Sequence, residues 1–344
     1  MKIKLLSVIL MVFFAGIIDE SFSFNKVGSA TAQFLKIESG PRTLAMGGCY
    51  TSMANDPFAL YWNVAGIARV NSISASMAYT NWIADLQHSF TAVVIPAGKV
   101  GNVGLSVTTL NCDKIEQTTI LNPKGTGTYV EAADIAIGIS YARFMTDFVS
   151  VGVTAKYIQQ RLWDLSAETV VFDVGFLLNT GFKGVKLGMV LNNFGPEMKM
   201  DGDNLIRSFD KWPENNADPN VQVGLKTSTW PVPTSYRVSL SIDLFGDKES
   251  SLLGTGGDNQ MVFAVDALHP SDNPEHYSFG LEYAFRHMLF ARTGFKGNTD
   301  EQGLTFGAGL HLDMGNNIKL VFDYAYADFG IFQEIQQFSI GFTF

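Results

Sequence analysis

The stretch Gln336-Gln337-Phe338-Ser339-Ile340-Gly341-Phe342-Thr343-Phe344 closes the chain and decides its fold. Large apolar side chains stand at positions 338, 340, 342 and 344, and small or polar ones stand between them. Because side chains alternate between the two faces of a β-strand, this period of two predicts a strand with one apolar and one polar face. An exposed apolar strand would aggregate in water, whereas a barrel in a lipid bilayer turns such a face toward lipid.

The same alternation recurs from residue 72 to the end of the chain. It predicts segments close to the roughly 9–11 residues that a tilted strand needs to cross a bilayer. The fourteen predicted strands are 72–80, 88–96, 101–111, 133–143, 148–159, 170–179, 184–192, 235–244, 259–267, 276–285, 288–295, 302–312, 316–326 and 335–344. The predicted fold class is therefore all-β, a transmembrane up-and-down antiparallel β-barrel. A large soluble β-sandwich is the alternative, but it would have to hide two apolar faces.

Composition favours the barrel. The chain is 47% hydrophobic and only 17% charged, where a soluble protein typically has about 25% charged residues. The sequence has no uninterrupted apolar run of about 18 residues, so it does not indicate a transmembrane helix. The net charge of −9 without basic clusters makes nucleic acid an unsuitable partner.

The connections between predicted strands alternate in length, as in bacterial outer-membrane barrels with short periplasmic turns and longer outer loops. With the amino terminus in the periplasm, the outer loops are residues 81–87, 112–132, 160–169, 193–234, 268–275, 296–301 and 327–334. Most other connections are tight turns, and 245–258 is a long exception. A further extended segment at 220–226 is assigned to the largest outer loop as a hairpin arm. This parity predicts a location in the bacterial outer membrane.

The residues before the barrel divide into two parts. Residues 1–23 carry a basic start, an apolar run over 5–18 and small residues at Ser21 and Ser23, which predicts a signal peptide. An uncleaved anchor helix is the alternative. Residues 24–71 do not alternate and precede the barrel of residues 72–344. Within them, Asp56 and Pro57 are predicted to start a short helix that Asn63 and Gly66 end.

This segment resembles a known family. It contains Phe34-Leu35-Lys36-Ile37, then Arg42-Thr43-Leu44-Ala45-Met46-Gly47-Gly48, then Asn55-Asp56-Pro57-Phe58-Ala59-Leu60-Tyr61-Trp62-Asn63-Val64-Ala65-Gly66. These stretches resemble the amino-terminal signature of PorV/PorQ proteins, which are similar to FadL-type outer-membrane transporters of fatty acids. Family members typically carry Asn-Pro-Ala-Gly where this chain has Asn63-Val64-Ala65-Gly66, and commonly a small residue where it has Cys49. The motif residues are Arg42, Met46, Gly47, Gly48, Asp56, Asn63, Ala65 and Gly66.

The resemblance implies a 14-stranded barrel with residues 24–71 folded into the lumen as a hatch. Barrels of about 8 strands fill with their own side chains and those of 16–18 leave a channel, so fourteen leave a lumen to fill. The hatch would form an apolar pocket whose candidate residues are Phe34, Leu35, Met46, Phe58 and Trp62, although each of them could instead pack against the wall.

Ionisable side chains on lumen-facing positions carry both signs. The candidates for a lumen network are Lys156, Asp173, Arg237, Asp243, Asp266, Glu282 and Arg292. Two interpretations stay open: a polar path or partner-binding interior, or a structural network of ion pairs between wall and hatch. Arg42 is the hatch cation expected to meet such carboxylates.

We expect no enzyme, no metal site and no cofactor. The five histidines are scattered without metal-ligand spacing, and no catalytic constellation is evident. Cys49 and Cys112 form either a disulfide or two separate thiols, and spacing does not decide between these.

Two functions follow. PorV-like proteins act in type IX secretion, and this resemblance leads us to expect secretion-system components and exported proteins as partners. Phe209, Trp212 and Trp230 in the 193–234 loop are candidate partner contacts, although the loop could equally be a lid. The alternative, implied by the FadL resemblance, is a passive channel for fatty acids or other hydrophobic small molecules. A purely structural barrel is a third option.

Overall fold

The computed structural model describes residues 27–209, 221–246, 251–254, 257–299, 302–315 and 318–344. The predicted signal peptide and Trp212 lie outside the described residues.

Fourteen long antiparallel strands in the described part of the chain form one closed sheet, which confirms the predicted barrel. Each strand pairs with its neighbours in the sequence, and the first pairs with the last from Ser74↔Thr343 to Asn81↔Gln336, which closes the wall. The strands are β1 (Ser74–Asn81), β2 (Gln87–Pro96), β3 (Asn102–Asn111), β4 (Ala132–Phe144), β5 (Val149–Leu162), β6 (Leu165–Asn179), β7 (Lys186–Phe194), β8 (Ser235–Phe245), β9 (Asn259–Pro270), β10 (His276–Phe285), β11 (Leu289–Gly297), β12 (Leu304–Asp313), β13 (Lys319–Asp328) and β14 (Glu334–Thr343).

The two faces of the wall are inverted relative to a soluble protein. Large apolar side chains are exposed on the outside, such as Leu105 at 50% and Ile139 at 61%. Polar side chains such as Ser140, Thr154 and Asp266 are buried on the inside. Because water would not stabilise such an arrangement, the outer face is an apolar belt for lipid. No helix in the described ranges is long and apolar enough to cross a membrane.

The end of the barrel that carries the long loops, here called the outer end, differs from the prediction at one place. The loop predicted at 160–169 is a tight turn, because β5 runs to Leu162, β6 starts at Leu165, and these two residues pair. Trp163 has a positive φ of 57° in this turn. The ladder simply continues beyond the apolar alternation that marks the bilayer.

Short strands in the outer loops lie beyond the wall. Val221–Gly224 pairs with Ile206–Phe209, which confirms the hairpin arm predicted at 220–226. The other short strands are Ile115–Glu116 with Tyr129–Val130, Met198–Lys199 with Thr229–Trp230, and Asp201–Gly202 beside β6. The loops and turns also contain short 3-10 helices at Ile83–Asp85, Gly98–Val100, Asp203–Leu205 and Gly330–Phe332.

Residues 27–71, here called the N-terminal segment, contain only short helices. These are 3-10 helices at Gln33–Lys36 and Val64–Arg69 and α-helices at Pro41–Ala45 and Ala59–Trp62. The helix predicted to start at Asp56 and Pro57 instead starts at Ala59, with Phe58 at its N-cap. Asp56 lies in the turn before it, where its Oδ1 accepts a hydrogen bond from Phe58 N at 2.8 Å. Asn63 ends that helix with extended backbone. Gly66 does not end it but lies inside the following 3-10 helix, which Asn63 caps through Ala65 N at 3.2 Å.

The N-terminal segment packs against the inward face of the wall so closely that glycine is required there. A Cβ on Gly175 would stand 2.9 Å from Ala65 N, and one on Gly152 would stand 2.8 Å from the carbonyl carbon of Val64. Wall glycines whose Cβ would meet the segment in this way are Gly104, Gly152, Gly175, Gly188, Gly280, Gly294 and Gly307. The segment therefore lies within the lumen against β3, β5–β7 and β10–β12.

Both cysteines are free thiols. Cys49 is buried in the N-terminal segment and Cys112 is half-buried beside the outer end of β3. Of the two possibilities that the sequence left open, separate thiols are therefore observed.

Candidate functional site

A cavity of about 720 Å³ occupies the outer end of the lumen. Its position follows from the strand ends that line it, since Thr80 near the end of β1 and His276 at the start of β10 both border the long loops. The N-terminal segment supplies apolar lining through Leu35, Tyr61 and Trp62. The wall and the segment together therefore form one composite site.

The cavity lining is divided into two arcs of the wall. One arc, near β1–β3 and the β13–β14 connection, is mainly apolar. It includes Trp82, Ile83, Leu86, Phe90, Leu110, Phe329, Phe332 and Ile335. The other arc, on β8–β11 and their loops, is mainly polar. It includes Arg237, Asp266, Asp272, His276, Ser278, Lys296 and Asn298. An amphipathic cavity of this kind offers apolar contact on one side and hydrogen bonds on the other.

Three of the five predicted pocket residues line this cavity: Phe34, Leu35 and Trp62. The other two do not line it and are packed elsewhere, which is the alternative role that the sequence left open for each residue. Met46 is buried where its carbonyl would meet a Cβ on Gly280. Phe58 stacks on Phe90 with ring centroids 5.8 Å apart, which places it in the packed core instead.

Ion pairs on the cavity surface connect the N-terminal segment to the polar arc. Lys36 Nζ lies 3.1 Å from Asp272 Oδ2, and Lys296 Nζ lies 2.6 Å from Glu38 Oε1. Arg237 Nη1 donates to Gly48 O at 3.1 Å, and its guanidinium lies 4.5 Å from the centre of the Trp62 ring. These contacts hold the outer part of the segment in place.

A second, more deeply buried cluster holds the segment to β10, β11 and β13. Arg42 donates to both oxygens of Glu282, from Nε and Nη2, each at 2.8 Å. Arg292 donates from Nε to Glu282 Oε2 at 2.7 Å and from Nη1 to Asp323 Oδ1 at 2.5 Å. Planar guanidinium groups match carboxylates in this bidentate way. Arg42 is thus the segment cation that the sequence predicted to meet the carboxylates of the wall.

All seven predicted network residues face the lumen, and each belongs to an ion pair. Besides the Glu282–Arg292 pair, the pairs are Lys156–Asp173 at 2.9 Å, Lys186–Asp243 at 3.1 Å and Arg237–Asp266 at 3.7 Å. Buried charges need such pairing, because an unpaired charge in a low-dielectric interior is very unfavourable. This arrangement matches the structural interpretation of the network more closely than an open polar path.

The motif residues of the N-terminal segment are explained by close packing. Gly47 and Gly48 have positive φ angles of 67° and 86°, which other residues rarely adopt. Asn63 Nδ2 donates to Thr51 O at 2.9 Å and to Phe176 O at 3.1 Å, so it joins the segment to β6. A Cβ on Gly66 would stand 2.5 Å from that of Ala54, while Ala65 itself is fully buried.

Sequence reasoning missed the wall residues that receive this motif. The inward-facing glycines carried a usable signal, since a glycine at a polar-phase position of a strand marks a close approach of another backbone. Gly175 and Gly294 are examples, because backbone atoms of the segment lie against both.

Described residues of the largest outer loop pack against the wall at the outer end. Met198 and Val232 are buried there with Ala136 of β4 and Ile158 of β5. Two of the three predicted partner contacts, Phe209 and Trp230, are 55% and 50% exposed. Trp212 lies outside the described residues.

Comparison with known proteins identifies the fold but not a family, because no family model and no curated protein matches the sequence. The fold is similar to that of the Ralstonia pickettii toluene transporter TbuX, with a TM-score of 0.54, 11% identity, and coverage of 89% of this chain and 97% of that one. It is also similar to the P. putida toluene transporter TodX, with a TM-score of 0.52, 9% identity, and coverage of 89% of this chain and 96% of that one. The fold of the CymD monoaromatic hydrocarbon channel is similar as well, with a TM-score of 0.50, 12% identity, and coverage of 93% of this chain and 98% of that one.

The fold is therefore FadL-like, as the sequence resemblance implied in part. A closed barrel of this fold with an apolar outer belt belongs in the bacterial outer membrane, which confirms the predicted location. Nothing in the comparisons bears out the PorV/PorQ part of the resemblance, which stays a prediction.

Proposed function

We propose that the protein is a non-enzymatic, passive outer-membrane channel for hydrophobic small molecules. The observation that carries the proposal is the cavity of about 720 Å³, with one mainly apolar arc, at the outer end of a closed lumen. Sites for small-molecule ligands usually measure about 300–1,000 Å³ and are mainly apolar with a few polar groups. The similar fold of proteins that carry toluene or monoaromatic hydrocarbons supports the same conclusion.

In this proposal residues 24–71 act as a hatch within the barrel of residues 72–344, after removal of residues 1–23 as a signal peptide. A molecule entering from the outer end would contact Leu35, Tyr61 and Trp62 and stop there, because the segment packs against the wall below. Passage into the periplasm then requires the segment to move.

The proposal is tested by introducing a large side chain on a wall strand, where it fills the cavity. Ser106 on β3 is 6% exposed and lines the cavity, whereas the adjacent Val107 is 37% exposed on the lipid face. In a deletion strain, Ser106→Trp should restore little uptake of labelled toluene, because the indole occupies the cavity. Val107→Trp adds the same ring outside and should restore uptake to the wild-type rate.

The uptake rates are compared only if both variants assemble into barrels in similar amounts. Heat-dependent mobility in gels measures the assembled amount. Full uptake by the Ser106→Trp variant, or equal loss by both variants, would exclude the cavity as the route.

Secretion is the second candidate, and the exposed loop favours it. Ile206, Phe209, Val221 and Trp230 are each 47–55% exposed beyond the wall, and aromatic residues are enriched where proteins bind one another. The PorV/PorQ resemblance would make secretion-system components and exported proteins the partners.

Gentle extraction from native membranes followed by mass spectrometry tests this. Co-purification of such proteins, lost in a Phe209→Ser/Trp230→Ser variant, would establish it. A barrel that purifies alone, from a deletion strain with an unchanged surface proteome, would exclude it.

A further inference from the structure

The N-terminal segment is held closely to most of the barrel wall, but not to β1 and β2. Its short helices pack on β3–β6 and on β11–β14. Its hydrogen bonds and ion pairs reach β3, β6, β8, β10–β12 and β14. Neither β1 nor β2 contains a glycine that would admit the backbone of the segment. In the described part of the chain, these two strands therefore meet the segment mainly through side chains.

Two aromatic rings fill the space between the segment and these strands. Phe58 of the segment stacks on Phe90 of β2, with ring centroids 5.8 Å apart and 29° between the ring planes. Phe90 lines the cavity, whereas Phe58 is 4% exposed and does not. The neighbouring inward residues Ala78, Ala92 and Val94 are buried in the same apolar core. An apolar seam thus leads from the cavity toward the periplasmic ends of β1 and β2.

The turn that precedes Phe58 lies on the periplasmic side of the segment. Asn55 is exposed and Asp56 is half-buried, and neither lines the cavity. Arg42 donates from Nη1 to Asn55 Oδ1 at 2.9 Å and also binds Glu282, three residues before the periplasmic end of β10. The Phe58 ring therefore separates the floor of the cavity from a turn that is open to the periplasm.

We infer that the passage from the cavity to the periplasm runs along the inward faces of β1 and β2, and that the Phe58 ring is its gate. A side chain changes rotamer while the backbone stays in place, so turning this ring leaves the ion pairs of the segment intact. Opening beside β10 would instead break the buried pair of Arg42 with Glu282, which is unfavourable. The inference rests on the proposed channel function and identifies the part of the segment that has to move.

Cysteine accessibility in the purified full-length protein tests the route. Ala92 on β2 and Ala264 on β9 are inward-facing alanines, 1% and 0% exposed, in the same core. Each is replaced by cysteine in a Cys49→Ala/Cys112→Ser background and treated with benzyl methanethiosulfonate, a small aromatic thiol reagent. If the open gate is a minor state of roughly 0.1–10%, Phe58→Ala should accelerate labelling of Ala92→Cys roughly 10- to 1,000-fold. Labelling of Ala264→Cys should not change.

Two further variants separate a gate from a loosened segment. Phe58→Leu keeps an apolar side chain at the site, which guards against misfolding, and should accelerate labelling of Ala92→Cys to a smaller extent. Met46→Ala is the matched control, because it removes another large buried side chain of the segment, beside Gly280 of β10. It should leave the labelling of Ala92→Cys at the wild-type rate.

An unchanged rate for Ala92→Cys in both Phe58 variants, or equal acceleration of Ala92→Cys and Ala264→Cys, overturns the gate. The channel proposal then still stands if Ser106→Trp blocks toluene uptake. Normal uptake by the Ser106→Trp variant overturns both.

Discussion

Replacing Gly294 by alanine tests how the N-terminal segment is held in the lumen. A Cβ at this position on β11 would overlap Gly47 N and the carbonyl carbon of Met46, and would stand 2.7 Å from Met46 O. An ordinary contact needs at least 3.4 Å. All three atoms are backbone, so no side-chain rotation relieves the clash, and the segment or the strand must shift.

Overpacking of a well-packed interior by one methyl group costs about 1–3 kcal/mol. We expect the upper part of this range, because Arg42 and the buried carboxylate of Glu282 fix the segment immediately beside the clash. The β11 ladder has backbone hydrogen bonds on both sides and should remain intact. The cost therefore falls on the segment and increases its population of open states.

The buried Cys49 thiol reports this opening. It is fully buried, and burial raises its pKa well above the usual range, so the native thiol should react slowly with a maleimide. In a Cys112→Ser background, Gly294→Ala should accelerate labelling of Cys49 roughly 30- to 150-fold.

Gly341→Ala is the matched control, because its Cβ would meet first the Ser76 hydroxyl, at 2.9 Å, which can rotate away. Equal labelling rates in wild type, Gly294→Ala and Gly341→Ala would refute a segment held by backbone contact with the wall.

Two further predictions concern charge. Glu282→Gln should loosen the segment by about 3 kcal/mol, the lower end of the cost of breaking a buried ion pair, because Asp56 and Asp323 still accompany the two arginines. Cys49 labelling measures this, and Glu131→Gln in the exposed pair with Lys114 should change nothing measurable. Leu105→Arg on the lipid face should cost about 2–4 kcal/mol and reduce the assembled fraction in gels, unlike Ile120→Arg in a fully exposed loop. Normal assembly of the Leu105→Arg variant would contradict a lipid-facing belt.

The wall was predictable because one physical rule applies along its whole length. Because successive side chains of a strand alternate between lipid and lumen, each strand has a sequence period of two. All fourteen strands and the hairpin arm at 220–226 were therefore predicted. The alternation fails beyond the bilayer, where Arg161, Ser166 and Glu168 continue the β5–β6 ladder outside lipid. That is why a tight turn at Trp163 was predicted to be a loop.

The cavity was not predictable in the same way, because distant parts of the chain combine to form it. The sequence does not distinguish Phe34, Met46 and Phe58, which are all large apolar residues of the N-terminal segment. Of these three, only Phe34 lines the cavity. Which residue faces the open lumen depends on how the segment turns at Gly47 and Gly48 and on the wall glycines that receive it. Pairing of Arg42 with a wall carboxylate was predictable from charge, but its choice of Glu282 was not.

Crystals grown with 4-bromotoluene would test the central claim most directly, since the anomalous signal of bromine locates the ligand without prior assumptions. We predict a bromine site within the cavity, between the apolar arc around Phe90 and the segment at Tyr61 and Trp62. Bromine found only on the outer belt or among the outer loops, with none in the cavity, would contradict a channel whose route passes through the lumen.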